Sequence, residues 1–311
     1  MKAVRYHRYG GSEVLIHEVA ERPTPREGQV LVKVAATSFN PVDIGIRAGG
    51  LQEVFPLSFP HVPGIEVAGT VAELGPGVGG HQVGDAVVAF LPMNADGAAA
   101  EYAIVPADAL ATAPRTVELA DAAALPVGGL TAWQALFDDA RLEAGQTVLV
   151  NGAGGAVGGY AVQLAHEAGA TVTATSSPRH EDRLRGYGAD RIIGHLDFTA
   201  GPLSVDGGPF DVVVNLVPTT PEETAALVGL VADGGALVST TTPPPENTAR
   251  GVRTARVFVV SDAGRLAELV SRVDAGTLRI HVADRRPLTD LPAVHDEATA
   301  GRLAGKTVLI P

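Results

Sequence analysis

The apolar positions of the chain follow two different patterns, which change near residue 116. In the first part, short runs alternate with polar residues or are continuously apolar, are rich in β-branched residues, and are separated by Gly or Pro. Such runs predict strands, and a series of them suits a small β barrel or a rolled sheet. The predicted strands are 2–6, 14–19, 30–36, 66–73, 86–90 and 102–105.

After residue 116, apolar runs alternate with amphipathic segments, which predicts a parallel sheet covered by helices. The predicted strands are 148–151, 171–175, 191–193, 212–216, 236–240 and 256–260, and the predicted helices are 159–167, 180–186, 221–231 and 263–275. The segment TTTPPPEN at 240–247 is expected to be an exposed loop, because Pro lacks an N–H and fixes φ. Residues 278–311 end in KTVLI, a further strand, and are expected to complete the first domain. We therefore predict one domain from 1–115 with 275–311, and a second domain from 116–274.

The composition of the chain excludes several classes of function. The 311 residues are 46% hydrophobic and 19% charged, which is typical of a globular protein. The net charge of −12 argues against a nucleic-acid-binding surface. Cysteine is absent, which excludes disulfides, zinc–thiolate sites and a cysteine nucleophile. Because no apolar stretch has the length of a signal peptide or a membrane span, we expect a cytoplasmic protein without a membrane partner.

A glycine-rich segment follows the first strand of the second domain and reads VLVNGAGGAVGGYAVQLA at 148–165. A strand, a glycine loop and a helix in this order place a pyrophosphate at the positive end of the helix. In the G-x-G-x-x-G register, Ala153 replaces the first glycine, and Gly155 and Gly158 fill the other two positions. Gly155 is expected to let the backbone approach the phosphates, with a φ that favours glycine, whereas Gly158 allows close packing of helix and strand. The alternative is a glycine turn that only packs these two elements. The expected loop residues are Gly152, Gly154, Gly155, Ala156, Val157 and Gly158.

The segment after the second strand of this domain indicates which nucleotide binds. An NAD site usually has Asp or Glu about 20 residues after the glycines. Here Ser176, Ser177 and Arg179 occupy that turn, and no carboxylate comes before Glu181. Hydroxyl groups and an Arg suit the 2′-phosphate of NADPH, because Arg combines charge with several donors. The alternative is a polar loop start with Arg179 as a solvated surface charge.

Ordered motifs along the whole chain resemble one known family. They are MKAVRYHRYGGSEVL, SFNPVDIGIRAGG, PGIEVAGTVAELGPGV, LPVGGLTAW, NGAGGAVGGYAVQLA and GRLAGKTVLIP. The chain resembles the zinc-independent medium-chain dehydrogenase/reductases, in the quinone oxidoreductase or zeta-crystallin branch. The resemblance implies a GroES-like β domain and a Rossmann doubly wound parallel-sheet domain, with NADPH in the cleft between them and a homodimer as the assembly.

The resemblance also implies that no zinc is bound. Zinc-dependent relatives carry Gly-His-Glu where this chain has Gly64, Ile65 and Glu66, and an apolar Ile cannot bind a metal. One further departure concerns Leu51, which stands where many reductases of this group carry a Tyr. Because Leu51 has no proton to donate, the sequence counts against a tyrosine-assisted enoyl reduction; the alternative proton donor is His61.

The family's site positions fall on residues that also have local explanations. Asn40 and Asp43 match the family's N-P-x-D motif at the substrate pocket, but Asn40 could instead start a turn and Asp43 could cap the following helix. Thr131 matches a position near the nicotinamide, or packs its helix. The resemblance, together with the position of loops after parallel strands, adds further cofactor candidates: His195, Leu216, Val217, Ser239, Thr240, Phe258, Val260 and Arg302. Of these, His195 and Arg302 are as readily surface residues.

The expected chemistry is hydride transfer from NADPH to a small acceptor, a quinone or another conjugated carbonyl. Two alternatives remain open. One is a biosynthetic enoyl or double-bond reductase of the same family, and the other is a non-catalytic NADPH-binding protein. The fold does not choose among them, because one fold serves many functions.

Overall fold

A computed structural model describes residues 1–199, 201–246 and 249–311. In these residues the strands β1 to β15 are Lys2–Arg5, Ile16–Val19, Gln29–Ser38, Glu66–Leu74, Ala86–Phe90, Tyr102–Pro106, Leu110–Thr112, Thr147–Asn151, Thr171–Thr175, Arg191–Ile193, Phe210–Asn215, Val231–Ser239, Arg253–Arg256, Asp284–Pro287 and Thr307–Ile310. The helices α1 to α8 are Val42–Ala48, Leu119–Ala122, Pro126–Trp133, Ala156–Glu167, Glu181–Gly186, Pro221–Leu227, Ala263–Asp274 and Leu291–Thr299. None of these helices combines the length and the apolar composition needed to cross a membrane.

The described chain forms two compact units, Met1–Val127 with Ser261–Pro311, and Gly128–Val260. These bounds differ from the predicted division at both junctions. Residues 116–127 lie in the first unit because α2 packs against β3 and β4, and 261–274 lie there because α7 packs against β7. Strand-rich composition therefore locates the β unit, but the packing of its flanking helices sets its limits.

The first unit is the GroES-like β domain. Its larger sheet has the order β14-β15-β3-β4-β5-β7, with β6 also paired to β3, and β1 pairs with β2. All these pairs are antiparallel except β14 with β15. Alternate residues of β3 and β4 face the core, as the period of two along a strand requires. That core includes Val30, Val32, Val34, Val67 and Val71.

The second unit is the Rossmann domain. Within the described residues its sheet has the order β10-β9-β8-β11-β12-β13, and every pair is parallel. Numbered from β8, this is the strand order 3-2-1-4-5-6 of dinucleotide-binding domains. The central strands are buried, with Leu149, Val213 and Leu237 in one core cluster. The predicted fold class is thus confirmed for both units.

The structure corrects several predicted element bounds. The last strand of the parallel sheet, β13, ends at Arg256 instead of covering 256–260, because its partner β12 ends at Ser239, the residue paired with Arg256. The helix predicted at 221–231 ends at Leu227, and β12 begins at Val231. In the proline-rich loop, Thr240 to Thr242 are only half-buried rather than fully exposed, and Asn247 lies outside the described residues.

Candidate functional site

In the parallel sheet of the second unit, the order in which successive strands are added reverses between β8 and β11. Strands β9 and β10 lie on one side of β8, whereas β11, β12 and β13 lie on the other. In open parallel sheets, ligands bind outside the carboxyl ends of the strands at this switch point. The glycine segment 152–158 follows β8 directly, and Leu216 and Val217 follow β11. The predicted nucleotide residues therefore flank the position where the fold places a ligand.

Gly152 turns the chain out of β8. Its φ of +97° lies in the left-handed region that glycine adopts without steric cost. A Cβ here would also lie 2.7 Å from Val217 Cγ1. The Gly152 N–H donates to Thr175 Oγ1 over 2.9 Å, and the Ala153 N–H donates to the Thr175 carbonyl over 3.1 Å. The end of β9 thus fixes the first two residues of the loop.

The two glycines of the fingerprint have different surroundings. A Cβ on Gly158 would lie 2.4 Å from the Gly152 carbonyl oxygen and 2.5 Å from Ala153 Cα, so this position requires glycine for packing within the protein. A Cβ on Gly155 would approach no protein atom closer than 3.6 Å. The expected left-handed φ at Gly155 is wrong: its backbone is extended, with φ −75° and ψ 178°. Within this loop, the left-handed glycine is Gly152.

Helix α4 begins at Ala156, earlier than the predicted start at Gly159, because Gly155 is the N-cap and its carbonyl accepts the Gly159 N–H. A glycine N-cap has no side chain to satisfy the first amides of the helix. These amides, which belong to Ala156, Val157 and Gly158, are the donors that a phosphate takes at a helix N-terminus. The loop therefore has the shape and the donors that a dinucleotide pyrophosphate requires.

A row of four buried polar side chains crosses the carboxyl ends of β9, β8, β11 and β12. Thr175, Asn151, Asn215 and Ser239 are paired in register across these strands. The Thr175 hydroxyl donates to Asn151 Oδ1 over 2.8 Å, and Asn151 Nδ2 donates to Asn215 Oδ1 over 2.9 Å. Asn215 Nδ2 lies 3.3 Å from Ser239 Oγ. We call these four residues the polar row. Sequence reasoning missed Asn151, although VLVN and VVVN end two strands in the same way.

The polar row also holds the loops that follow β11 and β12. The Leu216 N–H donates to the Asn151 carbonyl over 2.9 Å, and Asn215 Nδ2 donates to the Val217 carbonyl over 3.1 Å. The Thr240 N–H donates to the Asn215 carbonyl over 3.0 Å. Leu216 and Val217, both predicted as cofactor residues, thereby lie beside Gly152 of the glycine loop, and Ser239 and Thr240, also predicted, lie one strand further along the same edge of the sheet.

The turn after β9 gathers basic groups. Ser176 is buried, Ser177 is half-buried and Arg179 is exposed, with Arg179 Nε 3.1 Å from His180 Nε2. Arg183 Nη2 donates to the Gly154 carbonyl over 2.7 Å. A Cβ on Gly154 would lie 2.6 Å from His180 Cδ2 and 3.0 Å from Ser176 Oγ, so this turn packs closely on the glycine loop. Sequence reasoning assigned neither His180 nor Arg183 to the site; Arg183 lies four residues after Arg179, which is about one helical turn.

The remaining candidates of the second unit are less closely grouped. Phe258 and Val260 are 55% and 62% exposed. Both backbone groups of Val260 bond to the Gln134 carboxamide, at 2.8 and 3.0 Å. His195 is exposed after β10. Thr131 is buried on α3, the helix in which Gly128 packs against the Tyr160 ring of α4.

In the first unit, Asn40 belongs to a buried charged cluster. Lys306 Nζ lies 2.6 Å from Glu66 Oε1 and donates to Asn40 Oδ1 over 2.9 Å. Asn40 Nδ2 donates to Glu66 Oε1 over 2.7 Å, and the Ser38 hydroxyl donates to the same oxygen. The other carboxylate oxygen, Oε2, accepts the Val127 N–H over 2.8 Å. The structure therefore uses the Asn40 carboxamide to hold the Glu66–Lys306 pair. Arg302, also of this unit, is exposed after α8.

Asp43 is the second residue of α1 and does not cap it. Its Oδ2 accepts the backbone N–H of Asn40 over 2.8 Å, and the Asn40 carbonyl accepts the Asp43 N–H over 2.9 Å, which closes a turn before the helix. Burial raises the pKa of Asp43 to about 7, against the effect of the Asn40 hydrogen bond and of the Lys306 charge, which both lower it. Near neutral pH this carboxyl can therefore hold or release a proton.

The two positions at which the sequence departs from relatives, Ile65 and Leu51, are apolar. Ile65 is buried, and Leu51 is half-buried beside Gly45, at which a Cβ would lie 3.2 Å from Leu51 Cδ1. In the part of the chain that the structure describes, no three His, Asp or Glu side chains are grouped so that they could hold a metal ion.

Comparisons with known proteins identify the family. The model of the alcohol dehydrogenase GroES-like domain matches residues 26–115, and the model of the zinc-binding dehydrogenase family matches residues 187–309. A chloroplast envelope quinone oxidoreductase homolog from Arabidopsis thaliana is 33% identical over 100% of this chain and 98% of its own length.

Solved structures agree with this match. The quinone oxidoreductase of Coxiella burnetii is 28% identical, with a TM-score of 0.86 over 100% of this chain and 99% of that one. A mycobacterial protein solved in complex with NADPH is 29% identical, with a TM-score of 0.86 over 100% of both chains. With the glycine loop at the switch point and Ile65 in place of a histidine, the chain belongs to the zinc-independent quinone oxidoreductase branch of the medium-chain dehydrogenase/reductases.

Proposed function

We propose that this oxidoreductase uses NADPH to reduce a quinone or another conjugated carbonyl compound, without zinc. The observation that carries the proposal is the glycine loop at the switch point, where the first amides of α4 have no capping side chain. When bound, the cofactor supplies the hydride. The chain itself positions the reactants and excludes water from them.

The preference for NADPH over NADH is supported by the turn after β9. Ser176, Arg179, His180 and Arg183 supply hydroxyl, imidazole and guanidinium donors, and no carboxylate precedes Glu181. A 2′-phosphate gains charge-assisted hydrogen bonds at such a turn, whereas the 2′-hydroxyl of NADH gains less. We expect NADPH to bind about tenfold tighter than NADH or more, which corresponds to about 1.4 kcal/mol. Fluorescence titration with both nucleotides tests this, and equal affinities would refute it.

Asn40, Asp43 and Thr131 are proposed as residues that position the acceptor. Because both polar atoms of the Asn40 carboxamide bond to Glu66 and Lys306, Asn40 would act through its fixed position more than by donating to substrate. Leu51 is apolar where many reductases of this group carry a Tyr that could offer a proton, which counts against an ordinary enoyl reductase.

The acceptor class is tested by the loss of NADPH absorbance with a panel of quinones and enones. Turnover of quinones or simple enones would support the proposal. It would also agree with the names of the relatives that match the whole chain, which are called quinone oxidoreductases. Turnover limited to carrier-bound or polycyclic substrates would favour a biosynthetic double-bond reductase instead. Binding of NADPH without any turnover would favour a non-catalytic nucleotide-binding protein.

Independence of metal is part of the proposal. Ile65 has no donor atom where zinc-dependent relatives carry His, and the chain has no cysteine. Activity is therefore expected to survive treatment with a chelator. Stoichiometric zinc found by elemental analysis of the active protein would contradict this.

A homodimer in the cytoplasm is proposed as the working form. Strand β13 lies at the edge of the sheet, and the exposed apolar side chains of Phe258 and Val260 follow it, which suits contact with a twofold partner. Light scattering should give the mass of a dimer at micromolar concentration, and a monomer would refute the proposal. A fluorescent fusion in cells tests the location.

A further inference from the structure

A small recess in the first unit is lined by three buried polar side chains, Tyr6, Asp43 and His61. Two backbone hydrogen bonds join Tyr6 and His61: the Tyr6 N–H donates to the His61 carbonyl over 3.0 Å, and the His61 N–H donates to the Tyr6 carbonyl over 2.9 Å. Their rings meet edge to face, with centroids 5.2 Å apart. Asp43 enters from α1. We call this space the Tyr6–Asp43–His61 recess.

The Tyr6 hydroxyl is buried and has no hydrogen-bond partner among the described residues. Buried hydroxyl groups usually have one, because an unsatisfied donor loses the hydrogen bonds that water would give it. The space open to the centre of a water molecule in the recess is about 10 Å³, which is room for about one water. A bound water needs two to four polar partners. Tyr6, Asp43 and His61 supply three.

The recess has polar connections on two sides. His61 Nδ1 lies 3.5 Å from Asp96 Oδ1, and the Asp96 side chain is 64% exposed. Asp96 is held in place because the same oxygen accepts the Val62 N–H over 2.9 Å. On the other side, Asp43 accepts the backbone N–H of Asn40. A proton entering from solvent at Asp96 thus meets His61, then the recess, then Asp43.

We propose that the recess binds one water molecule shared by Tyr6, Asp43 and His61, and that this water returns protons from solvent to Asp43, which protonates the acceptor. The proposal rests on the proposed function, since it assigns the proton source of that reaction. Hydride addition leaves an anion on the acceptor. The O–H bond of the Asp43 carboxyl then breaks, and a new bond to hydrogen forms on that anion. The carboxylate regains a proton from the water, the water from His61, and His61 from solvent at Asp96.

The electrostatics of the recess suit this sequence of transfers. A carboxyl with a pKa of about 7, as burial gives Asp43, is protonated in a large fraction of molecules near neutral pH. Burial also lowers the pKa of His61, so its imidazole is neutral at that pH. A neutral imidazole can accept a proton on one nitrogen while it donates from the other.

The first experiment asks whether the water is there. A high-resolution crystal structure of the full chain should show one ordered water within hydrogen-bond distance of Tyr6 Oη, Asp43 and His61. In infrared difference spectra, the C=O band assigned to protonated Asp43 should shift in Tyr6→Phe and stay unchanged in Tyr9→Phe, the matched control outside the recess. A dry recess, or a band that ignores Tyr6, would overturn the proposal.

The second experiment compares two acceptors of different basicity after reduction. Cyclohexenone gives a strongly basic enolate, whereas dichloronaphthoquinone gives a weakly basic anion that persists in water. We expect Tyr6→Phe and His61→Gln to lower kcat for cyclohexenone about tenfold, as loss of efficient proton transfer does. The quinone rate and the NADPH affinity should stay within about twofold of wild type. His17→Gln, a change at an exposed histidine, is the control.

The outcomes are distinct. Equal loss with both acceptors would assign the recess a merely structural role, and no loss with either would remove it from the proton path; each overturns this proposal while the proposed function stands. If none of the quinones or enones supported NADPH oxidation by the wild-type protein, both the proposed function and this proposal would be overturned.

Discussion

The polar row of the second unit contains no charged group, whereas the cluster around Asn40 in the first unit contains a buried carboxylate and a buried ammonium. In the row, each side chain bonds to its neighbour on the next strand, and the loops that follow the strands are held in place. In the cluster, Glu66 and Lys306 bond to each other and to Asn40. Both groups are buried, and both lie beside residues predicted for the site.

The difference lies in what each arrangement leaves free. In the polar row the side chains bond to one another, and they position a loop in which no side chain caps the first amides of the helix. The charged cluster satisfies its charges internally, because a buried charge without partners is very costly. We infer that the row prepares a binding surface, whereas the cluster stabilises the end of β3 and supports a site residue indirectly. The following predictions test this contrast, from the largest effect to the smallest.

Lys306→Met should lower the free energy of unfolding by about 3–5 kcal/mol, because it leaves the Glu66 carboxylate buried without its partner. Thermal and urea unfolding measure this. In the double variant Glu66→Gln with Lys306→Met, much of the loss should be recovered, since no buried charge remains. A double variant as unstable as the sum of the single ones would mean that the pair does not act as a unit.

Gly158→Val should lower stability by about 1–3 kcal/mol and also abolish NADPH binding, because the new side chain would meet Gly152 and Ala153. Gly155→Val should abolish NADPH binding with a smaller loss of stability, about 1 kcal/mol or less, because no protein atom lies closer than 3.6 Å to its Cβ and the cost that remains is that of Val as a poorer N-cap than Gly. Unfolding and titration of both variants separate packing from binding. If Gly155→Val bound NADPH normally, the pyrophosphate site would lie elsewhere.

Arg179→Ala should weaken NADPH binding by about 1–3 kcal/mol and leave NADH binding nearly unchanged, as expected for a contact to the 2′-phosphate alone. Arg183→Ala is the informative comparison. Because Arg183 donates to the Gly154 carbonyl, its loss should weaken both nucleotides. Titrations of the two variants with both nucleotides measure this, and identical effects at the two positions would contradict it.

The stability of wild type relative to Asp43→Asn should decrease by about 1 kcal/mol as the pH rises from about 6 to 7. The pKa of Asp43 is raised from 3.8 to about 7 in the folded protein, mainly by burial. In this window the folded state therefore binds more protons than the unfolded state, and its advantage is lost as the pH rises through the folded pKa. Urea unfolding at a series of pH values checks the sign; no change across this window would show that the folded carboxyl is already ionised at pH 6.

Local patterns predicted the elements wherever apolar periodicity was unambiguous. The strands β3, β4, β5, β8 and β9 lie within a few residues of their predicted bounds, because each is a long or wholly buried apolar run. The glycine segment was recognised for the same reason, since strand, glycines and helix follow one another directly. The short strand β7 and the helix α8 had no prediction, because their sequences carry weak periodicity and their limits depend on packing partners.

Other features depended on residues distant in sequence. Arg183, His180 and the partners of Asn40 were not predicted, because their roles arise from contacts across the fold: Arg183 reaches Gly154, and Lys306 reaches Asn40. Phe258 and Val260 were assigned to a strand that ends before them, because the end of β12 limits how far β13 can pair. The sequence of one strand does not show where the strand paired with it ends.

The sequence by itself determined the two kinds of unit, the nucleotide loop with its switch-point strands, and the absence of zinc ligands at Ile65, because periodicity, glycine spacing and side-chain chemistry are local properties. The tertiary structure alone decided which glycine has a left-handed backbone, where α4 begins, and which polar side chains hydrogen-bond to other protein groups. It assigned Gly152 the positive φ, joined Asn151 to Asn215, and closed Asn40 on Glu66 and Lys306. These outcomes depend on hydrogen bonds between elements, and a buried polar group is satisfied only by whatever the fold brings beside it.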